Sequence, residues 1–309
     1  MLLVLASAVA VTTWDYTILV DQATQQTRMA VHQETLRGTG QEPDRYRVLV
    51  PFVLNAAVVP LARVMPYEKA FSRTYALYCL VAFTFALWEL WRYLGLWFTE
   101  DQALVGTLFV AAVIRMALRQ HYYQPASLLE PGLWALGLRQ IAEGRPLAGT
   151  LAVATLNRET SVFLALLYGV TAPFTRRTLV RTAWYLALWA GIFLALRYSI
   201  DGPPRRVWTL ANIWRHNIAF ENLQATAVQV TLFLGAFWLF AILGYRRAPP
   251  FVRRTALILP LYFFTVAVWG WWFEVRLLMP CYPILVSLAL SYVYVPVCAA
   301  APALKREVQ

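Results

Sequence analysis

Leu257-Ile258-Leu259-Pro260-Leu261-Tyr262-Phe263-Phe264-Thr265-Val266-Ala267-Val268-Trp269 contains no charged side chain and no alternation of apolar with polar residues. A strand of a membrane barrel alternates at period 2, so this run reads as a helix inside hydrocarbon. Similar runs recur along all 309 residues, of which 60% are hydrophobic and only 14% charged. A soluble domain has about 45–50% apolar and roughly 25% charged residues, which excludes that class. The expected fold is all-α: a polytopic transmembrane bundle of one domain over 1–309, with about nine to eleven membrane segments.

The formal charge of +11 does not point to nucleic acid, because the basic residues gather in short connections between apolar runs. Of the 27 basic residues only Lys69 and Lys305 are lysine, a bias typical of a GC-rich bacterial genome. Cys79, Cys281 and Cys298 have no metal-ligand spacing and read as packing residues. His32, His121 and His216 are too scattered to ligate together. No metal or other cofactor is called for, although these patterns do not exclude a divalent ion. Residues 1–20 read as a first membrane helix whose natural start lies upstream, since no basic residues precede it.

Further spans read as 48–66, 72–98 and 102–118, with a weaker segment at 125–143 that carries Glu130, Pro131 and Arg139 and is a poor span or an interfacial helix. The apolar stretch 147–173 is broken by Asn157-Arg158-Glu159-Thr160. A single crossing would hold charges mid-membrane at about 2.5–3.5 kcal/mol each, so a hairpin of two short helices is expected. Spans at 182–199, 222–244, 255–272 and 277–298 follow. Within 200–221, Val207, Leu210, Ala211, Trp214 and Ile218 share one helical face, as on a helix lying on a membrane surface. Arg176–Arg181 and Arg246–Arg254 mark cytoplasmic connections, which puts 200–221 and Trp271–Arg276 outside. By the same rule Arg63, Lys69 and Arg73 favour an inner turn, and Glu100-Asp101 an outer one.

Polar groups cluster in four places: segment 15–47, with Asp15, Asp21, His32, Glu34 and Asp44; His121-Tyr122-Tyr123; Asn157–Thr160; and Trp269–Arg276. Each has an ordinary reading as well. Asp15 is equally a helix-end carboxylate, and Asp21 and Glu34 a solvated face. Arg45 and Arg47 double as interfacial anchors, and Arg158 with Glu159 as a mutual ion pair at a hairpin tip. Glu274 and Arg276 stand two residues apart, which on a helix turns them to different faces and leaves Arg276 available to a ligand.

In their order along the chain these motifs resemble the GT-C-type membrane glycosyltransferases, the group containing aminoarabinose transferase and protein O-mannosyltransferases. The resemblance rests on an acidic first outer loop, Tyr46-Arg47-Val48-Leu49-Val50-Pro51, the Gly144-Arg145-Pro146 turn, Arg158-Glu159-Thr160 and Glu274-Val275-Arg276. It implies transfer of a sugar, of the hexosyltransferase kind, from a polyprenyl-phosphate carrier to an acceptor at the outer face of a bacterial inner membrane. Asp15 and Asp21 would be the catalytic carboxylates. Arg45, Arg47, Arg158 and Arg276 would bind the donor phosphate, with Glu159 and Glu274 supporting. The chain lacks the paired acidic motif frequent in that family and is short for it. Two other readings stand beside it: a noncatalytic subunit of a membrane protein complex, and a lipid or solute transporter.

Overall fold

The computed structural model describes residues 2–18, 22–117, 124–200 and 209–297; the side chains of 2, 12–18, 22–24, 115 and 116 lie outside the description. All regular structure among them is helical. The first half contains α1 (Leu2–Ile18), α2 (Gln22–Leu36), α3 (Leu49–Leu61), α4 (Tyr67–Leu94), α5 (Glu100–Ala117) and α6 (Pro125–Glu143). Next come α7 (Ala148–Asn157), α8 (Val162–Thr171), α9 (Arg176–Ser199) and α10 (Leu210–Ile218). The chain continues through α11 (Phe220–Leu234), α12 (Phe237–Gly244), α13 (Pro250–Thr255), α14 (Leu259–Trp269) and α15 (Tyr282–Val293).

Among the described residues four stretches are long and apolar enough to cross a membrane: α4, α9, the α13–α14 unit over Pro250–Trp269, and Val275–Val293. A fifth forms if α11 and α12, bent by 63° at their junction, count as one. This is fewer than the expected nine to eleven, because several apolar helices are short. The 13 residues of α3 reach only about 20 Å, against roughly 30 Å of hydrocarbon.

The core of the bundle is the pairing of α4 with α6. Tyr78 Oη donates to Pro125 O at 2.6 Å, Phe85 and Ala86 lie against Gly132, and Glu89 pairs with Arg139 at 2.8 Å. The two helices therefore run side by side in the same direction, with α5 as the return between them. Segment 125–143 is not among the stretches apolar enough to cross a membrane, in keeping with a poor span, but it lies inside the bundle and not at its surface. Most of its side chains are buried, Glu130 and Arg139 included. Its charges are tolerated because each has a partner inside the bundle.

The same contacts show which turns of the first half share an end of the bundle. Pro51 at the start of α3 and Tyr78 part-way along α4 both lie near Pro125. The turn between α3 and α4, with Arg63, therefore sits at the end of the bundle that holds Arg47. At the opposite end Trp97 stacks on Phe251, Val297 N–H donates to Trp97 O, and Arg254 donates to Thr171 O. The Glu100-Asp101 turn thus shares an end with the basic connections at Arg176 and Arg254.

Two further contacts shape the bundle. Leu147 N–H donates to Tyr185 Oη, Tyr168 packs edge-on against Tyr185, and Trp189 Nε1 donates to Glu159 O. So α7 and α8 fold back on each other along α9, with their junction at the Arg47 end. At Gly244 an added Cβ would stand 1.9 Å from Leu288 O, so α12 and α15 touch backbone to backbone.

Candidate functional site

The junction of α7 and α8 is extended at Arg158, with φ −162° and ψ 142°, and this turns neighbouring side chains in different directions. Arg158 and Glu159 do not pair with each other. Arg158, 4% exposed, reaches back to Glu130 on α6 and approaches Ser127 Oγ at 3.4 Å. Thr160 Oγ1 donates to the other oxygen of Glu130, and Asn157 Nδ2 donates to Ala126 O at 2.9 Å. Arg158 Nε and Asn157 Oδ1 are buried with no partner among the described residues. Orphan groups of this kind cost about 1–3 kcal/mol each, so a polar ligand or water is the natural occupant beside them.

Glu159 turns the other way, to Arg47. The fork is two-pronged: Arg47 Nη2 to Glu159 Oε1 at 2.7 Å and Nε to Oε2 at 3.3 Å. Arg47 Nη1 also donates to Asp44 Oδ1 at 2.7 Å. Burial alone would raise the Glu159 carboxyl. The charge and hydrogen bonds of Arg47 outweigh that, with help from Arg158 and a backbone N–H, and hold it at about 2.

Arg276 completes the group. Glu274 precedes the 3-10 turn Val275–Cys281 with φ −80° and ψ 72°, so the two side chains are not splayed as on a helix and pair at 2.7 Å. Helical spacing does not require this pair, and the turn supplies it. Arg276 is 4% exposed and close enough to Arg158 and Arg47 to feel their positive charge. Arg47 and Arg158, far from Arg276 in sequence, thus lie within electrostatic reach of it at one end of the bundle. Arg45 is set apart from them: it is buried, pairs with Glu42 at 2.7 Å, and lies over the Tyr46 ring at 4.7 Å. Asp21 lies outside the described residues. Asp15 falls in α1 with its side chain outside the description, as do His121, Tyr122 and Tyr123 in full.

Beside the cluster is a small depression lined by Val31, Thr35, Asp44, Arg47, Pro51, Gln124, Pro125 and Ala126. Asp44 is the carboxylate on its wall, about a third exposed and oriented by Arg47. On the far side of Arg276, Asn217 of α10 donates to Gly270 O at 2.9 Å and accepts from Trp272 N at 3.2 Å, which pins α10 to the turn before Glu274. His216 packs on Trp271 at 4.2 Å and near Phe273 at 5.5 Å. Leu210, Trp214 and Ile218 remain exposed on the outer face of α10. Among the described residues no group of His, Cys, Asp and Glu is arranged to hold a metal ion.

Sequence reasoning missed Glu130, read as a defect in a span, and Asn217. Glu130 carried a signal: a carboxylate in an apolar run is expensive, so it demands a cation elsewhere in the chain.

No family model, curated protein or solved structure matches this chain.

Proposed function

We propose that the chain is a multi-pass membrane protein of a bacterial inner membrane that acts as a GT-C-like transferase, moving a sugar from a polyprenyl-phosphate carrier to an acceptor. The observation that carries this reading is the convergence of Arg47, Arg158 and Arg276 at one end of the bundle, beside a depression walled by Asp44. With Arg176–Arg181 and Arg246–Arg254 at the cytoplasmic face, that end faces outward, where lipid-linked donors are used. Leu210, Trp214 and Ile218 of α10 then lie on the outer leaflet.

The chemistry needs two things. The departing lipid phosphate gains negative charge, and preorganised guanidinium groups stabilise it because their reorganisation is already complete. Orphan Arg158 Nε is a donor without a partner for that purpose. The acceptor hydroxyl needs a carboxylate to take its proton. Asp44 is the described carboxylate placed for this; Asp15 and Asp21 remain candidates from the sequence.

A noncatalytic subunit is the second reading, and one observation favours it: Arg47, Arg158 and Arg276 each already have a carboxylate partner, as in a purely structural network. Transfer from a labelled polyprenyl-phosphate sugar, measured with wild type and Asp44→Asn, separates the two. Loss of a general base lowers turnover by roughly 10²–10⁴-fold, with lipid binding retained. Wild-type protein that binds the lipid but transfers nothing supports the subunit reading. Full activity in Asp44→Asn, alone and combined with Asp15→Asn and Asp21→Asn, removes base catalysis from these residues.

A further inference from the structure

Trp189, Phe193 and Arg197 recur every fourth residue and so share one face of α9. Trp189 stacks on Phe193 at 4.7 Å and 26°. The Arg197 guanidinium then lies 3.8 Å from the centre of Phe193 and 4.4 Å from that of Tyr46. Arg45 lies 4.7 Å over Tyr46. A ladder of rings and guanidinium planes thus leads from the α7–α8 junction, where Trp189 holds Glu159 O, to the loop before α3.

Arg197 differs from Arg45, Arg47, Arg158 and Arg276. Each of those has a carboxylate, whereas Arg197 has none among the described residues and is held only by rings. Stacking fixes the plane of a guanidinium while leaving its N–H edge for an oxyanion. Its height on the helix matters too. Arg177 and Arg197 bracket about 30 Å of α9, the thickness of a bilayer's hydrocarbon. Only 6% of the apolar window of α9 is buried in the protein, so this helix faces lipid along most of its length. With Arg177 at one interface, Arg197 stands at the level of the opposite headgroups.

We infer that Arg197, clamped between Phe193 and Tyr46, binds the phosphate of a lipid headgroup at the outer leaflet, in a site separate from the Arg47–Arg158–Arg276 cluster. Its role is to hold a lipid phosphate against the mouth of that cluster. The inference rests on the outward orientation proposed above but not on transferase activity. The bland alternative is an arginine that snorkels at a helix end and anchors α9.

The test uses the full chain in nanodiscs of phosphatidylcholine, titrated with a short-chain polyprenyl monophosphate. A parallel arm uses phosphatidylglycerol nanodiscs and counts co-purifying lipid by native mass spectrometry. Inorganic phosphate is added as competitor in both. Arg197→Ala and Arg197→Lys should each lower lipid-phosphate occupancy about tenfold, since lysine keeps the charge but loses the stacked fork. The arm that responds identifies the lipid. Tyr46→Leu, which keeps Arg197 and removes one ring, should lower occupancy in the same arm. Wild-type occupancy in both Arg197 variants overturns the inference, as does full displacement of the lipid by millimolar inorganic phosphate. A wild-type protein that transfers no sugar, yet loses lipid in Arg197→Ala, leaves this inference standing and removes the transferase reading.

Discussion

Two charged networks hang on α6, one toward each end, and they are built differently. Toward the basic-loop end, Arg139 uses all three of its nitrogens: Nε and Nη2 on Glu89 at 2.9 and 2.8 Å, and Nη1 on Glu143 at 3.2 Å. Toward the other end, Arg158 uses only Nη1 on Glu130 and Ser127, and its Nε is buried without a partner. The first network leaves no nitrogen of Arg139 unused and runs on through Glu143 to the exposed Arg145. The second lies near a small depression, which Arg47 alone of the three arginines lines, and Arg276 is within electrostatic reach of Arg158 and Arg47. Fully partnered charges fasten helices; partly partnered ones are where a ligand completes the bonding. The contrast supports the Arg158 end as the site proposed above.

The largest effect should come from opening the closed network. Glu89→Leu leaves Arg139 with Glu143 as its one carboxylate and its Nε and Nη2 unpaired, and removing one partner of a buried pair costs up to about 3–5 kcal/mol. The double variant Glu89→Leu, Arg139→Leu should recover most of that loss, because no charge remains unpaired. Denaturant unfolding in detergent gives both values. If the single variant is as stable as wild type, the α4–α6 network is not a fastener and the contrast fails. Neither variant should change lipid-phosphate binding relative to folded protein.

A smaller effect on stability, and a larger one on ligand, is expected at the open network. Arg158→Lys keeps a cation for Glu130 but cannot offer Nε. It should cost roughly 1–2 kcal/mol of stability and lower polyprenyl-phosphate affinity about tenfold. Equal affinity with lowered stability would make Arg158 a second fastener and support the subunit reading.

What the sequence disclosed about these networks was uneven, for a physical reason. Composition and unbroken apolar runs are local properties, so the all-helical character was legible, and so was the interruption at Asn157–Thr160. Partnership is not local. Arg47 and Glu159 stand 112 residues apart, Arg158 and Glu130 28, and Arg139 and Glu89 50. Neighbours in sequence therefore attracted a wrong pairing. Arg158 reads as the partner of Glu159 at a hairpin tip, whereas the extended backbone at Arg158 sends the two side chains apart, and Glu274 and Arg276 do pair because the backbone between them is not α-helical. Glu130 and Arg139 made α6 read as marginal, when their burial as partners is what α6 contributes. The ladder Trp189–Phe193–Arg197 was visible at four-residue spacing, but its last rung, Tyr46, comes from another part of the chain.

The smallest effect is a pair of pH responses that sharpen the same contrast, since both lie at the Arg158 end. His32 is fully buried beside Phe71, with ring centres 5.1 Å apart, and burial lowers its pKa to about 4. The unfolded chain, with an imidazole pKa near 6.5, binds that proton first. Its stabilising contribution is therefore complete above about pH 6.5 and is lost as pH falls toward 4. Glu159, held at about 2 by Arg47 and Arg158 against the effect of burial, acts in a lower window. Its contribution is complete above the ordinary carboxylate range of about 4.3 and is lost as pH falls toward 2. Thermal unfolding followed from pH 7.5 to 2.5 should show two separable declines. His32→Phe should flatten the upper one and leave the lower, and Glu159→Gln the reverse. Because Glu159→Gln also weakens the two-pronged bond to Arg47, its stability at pH 7 should fall to a level wild type reaches only in acid. A single decline unaffected by either substitution would mean that neither group is linked to folding, and that the Arg47–Glu159 fork is too solvated to hold the α7–α8 junction against the loop before α3.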